Sequence, residues 1–172
     1  MIRRALPTDA QAIAQVHISS WQAAYRDLMP AQFLSALQAT LAQREANWMR
    51  SIASGESNVW VAEVDLQVVG WISVGACRDA DAAGGNTGEV MAIYVLAGFW
   101  QSGVGLALWE AGLQDLMAQG YKRLTLWVLV GNERAIRFYR RAGCVEDAGT
   151  ERNLERGGVP LVEVRYGVPL SG

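Results

Sequence analysis

Histidine, lysine, cysteine and proline are scarce in this 172-residue sequence: one His, one Lys, two Cys and four Pro. His17, Cys77 and Cys144 are too few for a disulfide framework or a Cys/His zinc cluster, so no metal is expected. A histidine-based triad would have to use His17. Neither charge sign dominates: 15 Lys plus Arg stand against 17 Asp plus Glu, a net charge of −2. That balance excludes a dedicated nucleic-acid binder, which would carry a basic excess. Lys122 is the only lysine, which points to codon bias rather than chemistry. The stretch from Met1 to Pro7 has two arginines but no apolar run behind them, unlike a signal peptide, so a cytoplasmic location is expected. Val90 to Trp109 lacks charge over a length that suggests a membrane span. Gly98, Gln101, Ser102, Gly103 and Gly105 interrupt it, so it reads as a strand, a glycine turn and a helix start. No membrane partner is expected.

What is present is a globular composition, 51% apolar and 19% charged, at a length that suits one domain, residues 1–172. A short strand over 1–6 leads to a helix from Asp9 to about Tyr25, with Thr8 as its N-cap and Gln11 completing a capping box. Ile13, Val16, Ser20 and Ala24 share one face of it. Pro30 starts a second helix, and Leu41 to Ile52 is a third. The period then switches to two. Asn58–Val64 and Val68–Ala76 read as a hairpin, Asp79–Gly88 as a loop, and Glu89–Val95 and Leu124–Val130 as strands. Helices are expected at Gly103–Gly120 and Asn132–Ala142. The tail holds one or two more strands, the clearest at Leu161–Tyr166. This order predicts a mixed α/β or α+β sheet with helices on its faces.

Two segments carry chemistry. In the first, a strand runs into a turn where Gly103 and Gly105 open a helix. Backbone N–H groups at a helix start lack intrahelical partners, and the dipole adds positive potential, which suits an anion such as a diphosphate. It is not a Walker loop, because no Gly-Lys-Ser/Thr follows, and not a dinucleotide fingerprint, because the third glycine is missing. In the second, a strand ends at Gly131, and Asn132 can cap the next helix. Tyr139 lies two turns along the same face.

With these two motifs in this order, the chain resembles the GNAT superfamily of acyl-CoA-dependent N-acetyltransferases. The family's Gln/Arg-x-x-Gly-x-Gly/Ala motif matches Trp100-Gln-Ser-Gly103-Val-Gly105, with Trp100 in place of Gln or Arg. Its Asn-x-x-Ala-x-x-x-Tyr motif matches Asn132, Ala135 and Tyr139. The likeness covers roughly residues 1–145, and Trp21 to Pro30 looks like the first helix of one bacterial branch. The resemblance implies a mostly antiparallel sheet whose central parallel strands splay, with acetyl-CoA in the gap. Its pantetheine arm would pair with backbone at Ile93, Tyr94 and Val95. Its diphosphate would rest on the N–H groups of Gln101, Ser102, Gly103, Val104, Gly105 and Leu106, and Asn132 would face the pantetheine or the acyl end.

Acetyl transfer needs a base to neutralise the amine and benefits from an acid at the leaving sulfur. By resemblance, Tyr139 is the acid and Glu89 the base. The structural alternatives are a Tyr139 hydroxyl bonded to backbone within the core and a Glu89 carboxylate at a sheet edge with a solvated tip. Trp21 and Tyr25, four apart, share a helix face and would wall the acceptor pocket, unless both are core. His17, four residues earlier, reads as structural. No nucleophile stands in either motif, so direct attack is expected. The acceptor would be a small-molecule or peptide amine. A homodimer is a further expectation from relatives. The competing reading is a non-catalytic CoA-binding sensor or regulatory module on the same fold.

Overall fold

The computed structural model describes residues 1–82 and 84–170. Its strands are β1 (Ile2–Arg4), β2 (Asn58–Val64), β3 (Gln67–Ala76), β4 (Thr87–Val95), β5 (Arg123–Leu129), β6 (Val145–Glu146), β7 (Arg152–Arg156) and β8 (Val159–Pro169). Its helices are α1 (Ala10–Ala24), α2 (Ala31–Ala36), α3 (Leu41–Ser54), α4 (Val104–Ala118) and α5 (Glu133–Arg141). The strands form one sheet in the order β1-β2-β3-β4-β5-β8-β6, with β7 paired to β8. Among the described residues only the β4–β5 pair is parallel. This is the expected mostly antiparallel sheet.

Helices cover both faces because the central strands are apolar on both sides. In β3, Ile72 and Val74 join Leu108, Trp109 and Leu116 of α4 in one core. Trp71, on the opposite face, packs with Ile13 and Val16 of α1 and Trp48 of α3. The β2–β3 hairpin turns on Asp65 and Leu66, both left-handed at φ 49° and 64°, which is the twist a tight hairpin requires. Asp115 of α4 is buried and takes hydrogen bonds from Asn58 Nδ2 (3.1 Å) and Trp60 Nε1 (2.7 Å), tying the helix to β2.

Two local readings are corrected. Thr8 does not cap α1. A 3-10 turn at Pro7–Asp9 precedes the helix, and the Asp9 carboxylate reaches back to accept from the Leu6 N–H at 2.8 Å. The tail holds three strands rather than one or two. The loop expected at Asp79–Gly88 contains a 3-10 turn at Ala80–Ala82 and gives way to β4 at Thr87; Ala83, like Ser171 and Gly172, lies outside the described residues.

Candidate active site

β4 and β5 run together only at their beginnings. Their pairing ends at Glu89 opposite Thr125. Beyond that point β4 stays with β3, and β5 with β8, so the later halves splay. A register shift beside Ser73 and Val74 inserts Met91 into β4 as an extra residue, and such a bulge bends its strand away from a neighbour. A cavity of about 680 Å³ occupies the opening, bordered by Ile93, Tyr94 and Val95 on one side and Val128, Leu129 and Asn132 on the other.

One wall of this cleft is the start of α4. Gln101 and Gly103 are left-handed, at φ 62° and 88°, and for Gln101 that conformation costs about 1–2 kcal/mol. The backbone N–H groups from Gln101 to Leu106 donate to no acceptor among the described residues. Ala107 is the first to bond back, to the Gly103 carbonyl at 3.0 Å. Six consecutive unengaged N–H groups at the positive end of a 15-residue helix make an anion cradle. A Cβ on Gly105 would meet only Phe138 at 3.7 Å and Val95 at 3.9 Å. The fold therefore tolerates a side chain there, and the glycine keeps the cleft wall open. Gln101, Gly103, Gly105 and Leu106 border the cavity, whereas Ser102 and Val104 do not. The Ser102 hydroxyl instead donates to the Phe99 carbonyl at 2.5 Å. These features fit an extended ligand carrying a diphosphate.

Trp100 has two contacts. Its Nε1–H donates to the Val95 carbonyl at 2.8 Å, and the Arg134 guanidinium lies 3.7 Å above its ring. Arg134 has no carboxylate partner among the described residues. With Arg137 and Arg141 it forms a basic row on α5 bordering the cleft. The sequence reading missed these arginines, although their helical spacing, three and four apart, was there to be read.

Tyr139 is buried against Trp109 and Phe138, with ring centroids 5.8 and 5.6 Å away. It borders the cavity, and its hydroxyl bonds no described residue. Burial pushes its pKa above the usual tyrosine range, so the phenol stays protonated and can donate. The alternative of a core tyrosine holds for the ring but not for the hydroxyl. Asn132 caps α5, accepting from Ala135 N–H at 3.4 Å. Trp21 and Tyr25 stack edge to face at 5.2 Å and border the cavity, and the Tyr25 hydroxyl lies 3.4 Å from that of Tyr94.

Glu89 sits where the strands part, 2% exposed. Its carboxylate is not solvated. Arg78 donates to it from Nη2 (2.6 Å), Nε (3.1 Å) and its own backbone N–H (3.0 Å).

His17 is structural. It stacks on Tyr94 at 5.2 Å and meets Trp21 and Trp71 edge-on. Arg44 Nη1 donates to its Nδ1 at 3.4 Å. Desolvation and the Arg44 charge lower its pKa to about 3. The unfolded chain therefore binds a proton near pH 6.5 that the folded chain refuses, and stability falls as pH drops from 6.5 towards 3. A loss of about 2 kcal/mol is expected by pH 4.5. Thermal midpoints measured across pH 4.5–7 should show this slope, and His17→Phe should flatten it; an equal slope in the variant would assign the loss to other groups.

Residues 19–144 match the family described as "Acetyltransferase (GNAT) family". The chain is similar to an uncharacterised N-acetyltransferase, YuaI, of Bacillus subtilis, 32% identical over 98% of this chain and 92% of the relative. Among solved structures it resembles an N-acetyltransferase from Staphylococcus aureus Mu50, with a TM-score of 0.78, 19% identity and coverage of 99% and 98%. It also resembles yncA of Salmonella typhimurium, a structure described with its cofactor acetyl-CoA, with a TM-score of 0.74, 19% identity and coverage of 100% and 94%.

Proposed function

We propose that this chain, which belongs to the GNAT family of acetyltransferases, moves an acetyl group from acetyl-CoA to a primary amine by direct attack. The observation that carries this reading is the meeting, in one cleft, of the unengaged N–H run at Gln101–Leu106 and the unpartnered hydroxyl of Tyr139. Acetyl-CoA supplies, when bound, an activated acyl carbon and a thiol leaving group. Gln101 to Leu106 hold its diphosphate, and Arg134 adds a guanidinium from its seat on Trp100. The backbone edge of Ile93 to Val95, unpaired on the β5 side apart from the Trp100 Nε1–H on the Val95 carbonyl, takes the pantetheine arm as an added strand, beside Asn132. Trp21 and Tyr25 wall the acceptor pocket.

Glu89 accepts the proton that an ammonium must lose, directly or through one water. Arg78 takes three of the carboxylate's roughly four acceptor positions and leaves about one for this task. The amine lone pair then forms the C–N bond as the C–S bond breaks. Tyr139 delivers its proton to sulfur and regains one, directly or through water, as the new amide nitrogen sheds its second proton. The products are an amide and a free thiol, and Glu89 returns the first proton to solvent. Neither cysteine borders the cleft. Burial pushes the Cys144 thiol up to about 11, which leaves it a poor nucleophile at neutral pH and supports transfer without an acyl-enzyme.

Gly105→Val tests the cradle. The fold has room for a Cβ there, so the thermal midpoint should hold within a few degrees while acetyl-CoA affinity falls about ten- to a hundredfold, measured by calorimetry. Wild-type affinity in the variant would remove the assignment. Amine-dependent thiol release separates the enzyme from a CoA-binding sensor, which would bind acetyl-CoA without turnover. The chain acts on this reading as one domain, in the cytoplasm and as a homodimer, with neither nucleic acid nor membrane as partner; sedimentation velocity checks the pairing.

A further inference from the structure

Six arginines and two glutamates border the cleft, with no aspartate, lysine or histidine among the lining residues. The cleft thus carries a net +4 within a chain whose net charge is −2. Three of the arginines, Arg134, Arg137 and Arg141, come from α5; Arg134 sits on Trp100 beside the diphosphate cradle, and the row answers a polyanionic cosubstrate. The rest lie towards the acceptor end. There both carboxylates are already matched, Glu89 by Arg78 and Glu163 by Arg152 Nε at 2.7 Å. No unpaired carboxylate remains among the described lining residues to hold the second charge of a polyamine.

One cation at that end is unpaired. Arg156 has no carboxylate within salt-bridge distance among the described residues, and its only hydrogen bond is to the neighbouring Glu155 carbonyl at 2.8 Å. Its place is set by the β7–β8 hairpin. Arg152, Leu154 and Arg156 alternate along β7, so all three face the same way, and all three border the cleft. Leu154 packs in the apolar cluster that holds Trp21 and Tyr25, which fixes this face at the acceptor pocket. The hairpin tip rests on the start of α2. Gly157, at φ 59°, leaves so little room that a Cβ would stand 2.7 Å from Phe33. Beside Arg156, Arg152 uses Nε on Glu163 and lies 4.1 Å over the Trp127 ring.

We propose that the acceptor amine bears a carboxylate, and that Arg156 receives it while the nitrogen is presented towards Glu89. This rests on the acetyl-transfer reading and deepens it. A guanidinium binds a carboxylate through charge-assisted, often bidentate hydrogen bonds, and a neutral carboxamide forfeits the charge. The test is a thiol-release assay with acetyl-CoA and matched acceptors: amino acids and dipeptides each paired with the corresponding carboxamide, together with spermidine. Wild type should show kcat/KM about ten- to a hundredfold higher for the carboxylate member than for its carboxamide. Arg156→Gln should shrink that ratio to within about threefold, acting on the acceptor KM, while the acetyl-CoA KM stays as in wild type. Arg156→Glu should invert the preference. A wild-type preference for carboxamides or spermidine would overturn the anionic acceptor and leave acetyl transfer standing. A carboxylate preference that survives unchanged in both Arg156 variants would overturn Arg156 as the group that receives the carboxylate, again leaving acetyl transfer standing. Failure of every amine, with acetyl-CoA shown to bind, would overturn acetyl transfer itself.

Discussion

Tyr139→Phe should lower turnover by about 10²–10⁴-fold, the usual worth of general-acid assistance, or roughly 3–5 kcal/mol of barrier. Acetyl-CoA affinity should stay near wild type, because the ring and its contacts with Trp109 and Phe138 survive the change. The thermal midpoint should hardly move. The hydroxyl bonds no described residue, so its loss leaves no buried partner stranded, and the usual stability cost of about 0.5–1.5 kcal/mol does not arise. A hydroxyl serving only the fold would give the opposite pair of results: near-normal turnover and a lowered midpoint. One variant and two measurements therefore decide the role. Wild-type turnover on a confirmed acceptor would end the assignment of Tyr139 as the acid.

The second large effect is expected at Glu89. Glu89→Gln should cut the rate by about 10²–10⁴-fold near neutral pH. The deficit should narrow as pH rises and the amine loses its proton unaided, so the variant's pH–rate profile climbs more steeply than that of wild type. The ion pair with Arg78 supplies the competing explanation. Removing one partner of a buried pair costs stability. Here the partner left behind is 62% exposed at its side chain and can be solvated, so a loss of only about 1–2 kcal/mol is expected. A uniform drop in rate with an unchanged pH profile would make Glu89 a positioning residue that anchors the Arg78 segment against β4. Arg78→Gln separates the two roles further. It should lower the midpoint, because the buried carboxylate loses its cation, yet keep a rate well above that of Glu89→Gln, since the group that accepts the proton stays in place.

Much of the cleft's local structure is legible in the sequence itself. Gly103 and Gly105 between a strand and a helix, and Asn132 seven residues ahead of Tyr139, are short-range patterns. Turn conformations, caps and same-face spacing depend on residues a few positions apart, so they can be read along the chain. Trp21 and Tyr25 were placed on one helix face by the same logic. The Thr8 cap failed by the same short-range chemistry, because Asp9 one residue on competes for the turn and satisfies the Leu6 N–H instead. The tail was under-read because β6 has two residues and β7 reads Arg-Asn-Leu-Glu-Arg, with one apolar side chain to mark a period. Such strands exist through their pairing with β8, and strand propensity is largely a matter of what lies opposite.

The sequence by itself determined the order of elements, the glycine-opened helix and the capped helix carrying Tyr139. Each is a matter of composition or of contacts within a helical turn or two. Tertiary structure decided the rest. The splay of β4 from β5 depends on a bulge set by register with β3. The capture of Glu89 by Arg78 depends on that same β3–β4 pairing, which brings together side chains eleven residues apart. The placing of Arg156 at the cleft depends on a hairpin tip meeting Phe33, more than a hundred residues earlier in the chain. The sequence lists the charges, but which are neutralised and which stay free for a substrate is settled only by the chain's long-range neighbours.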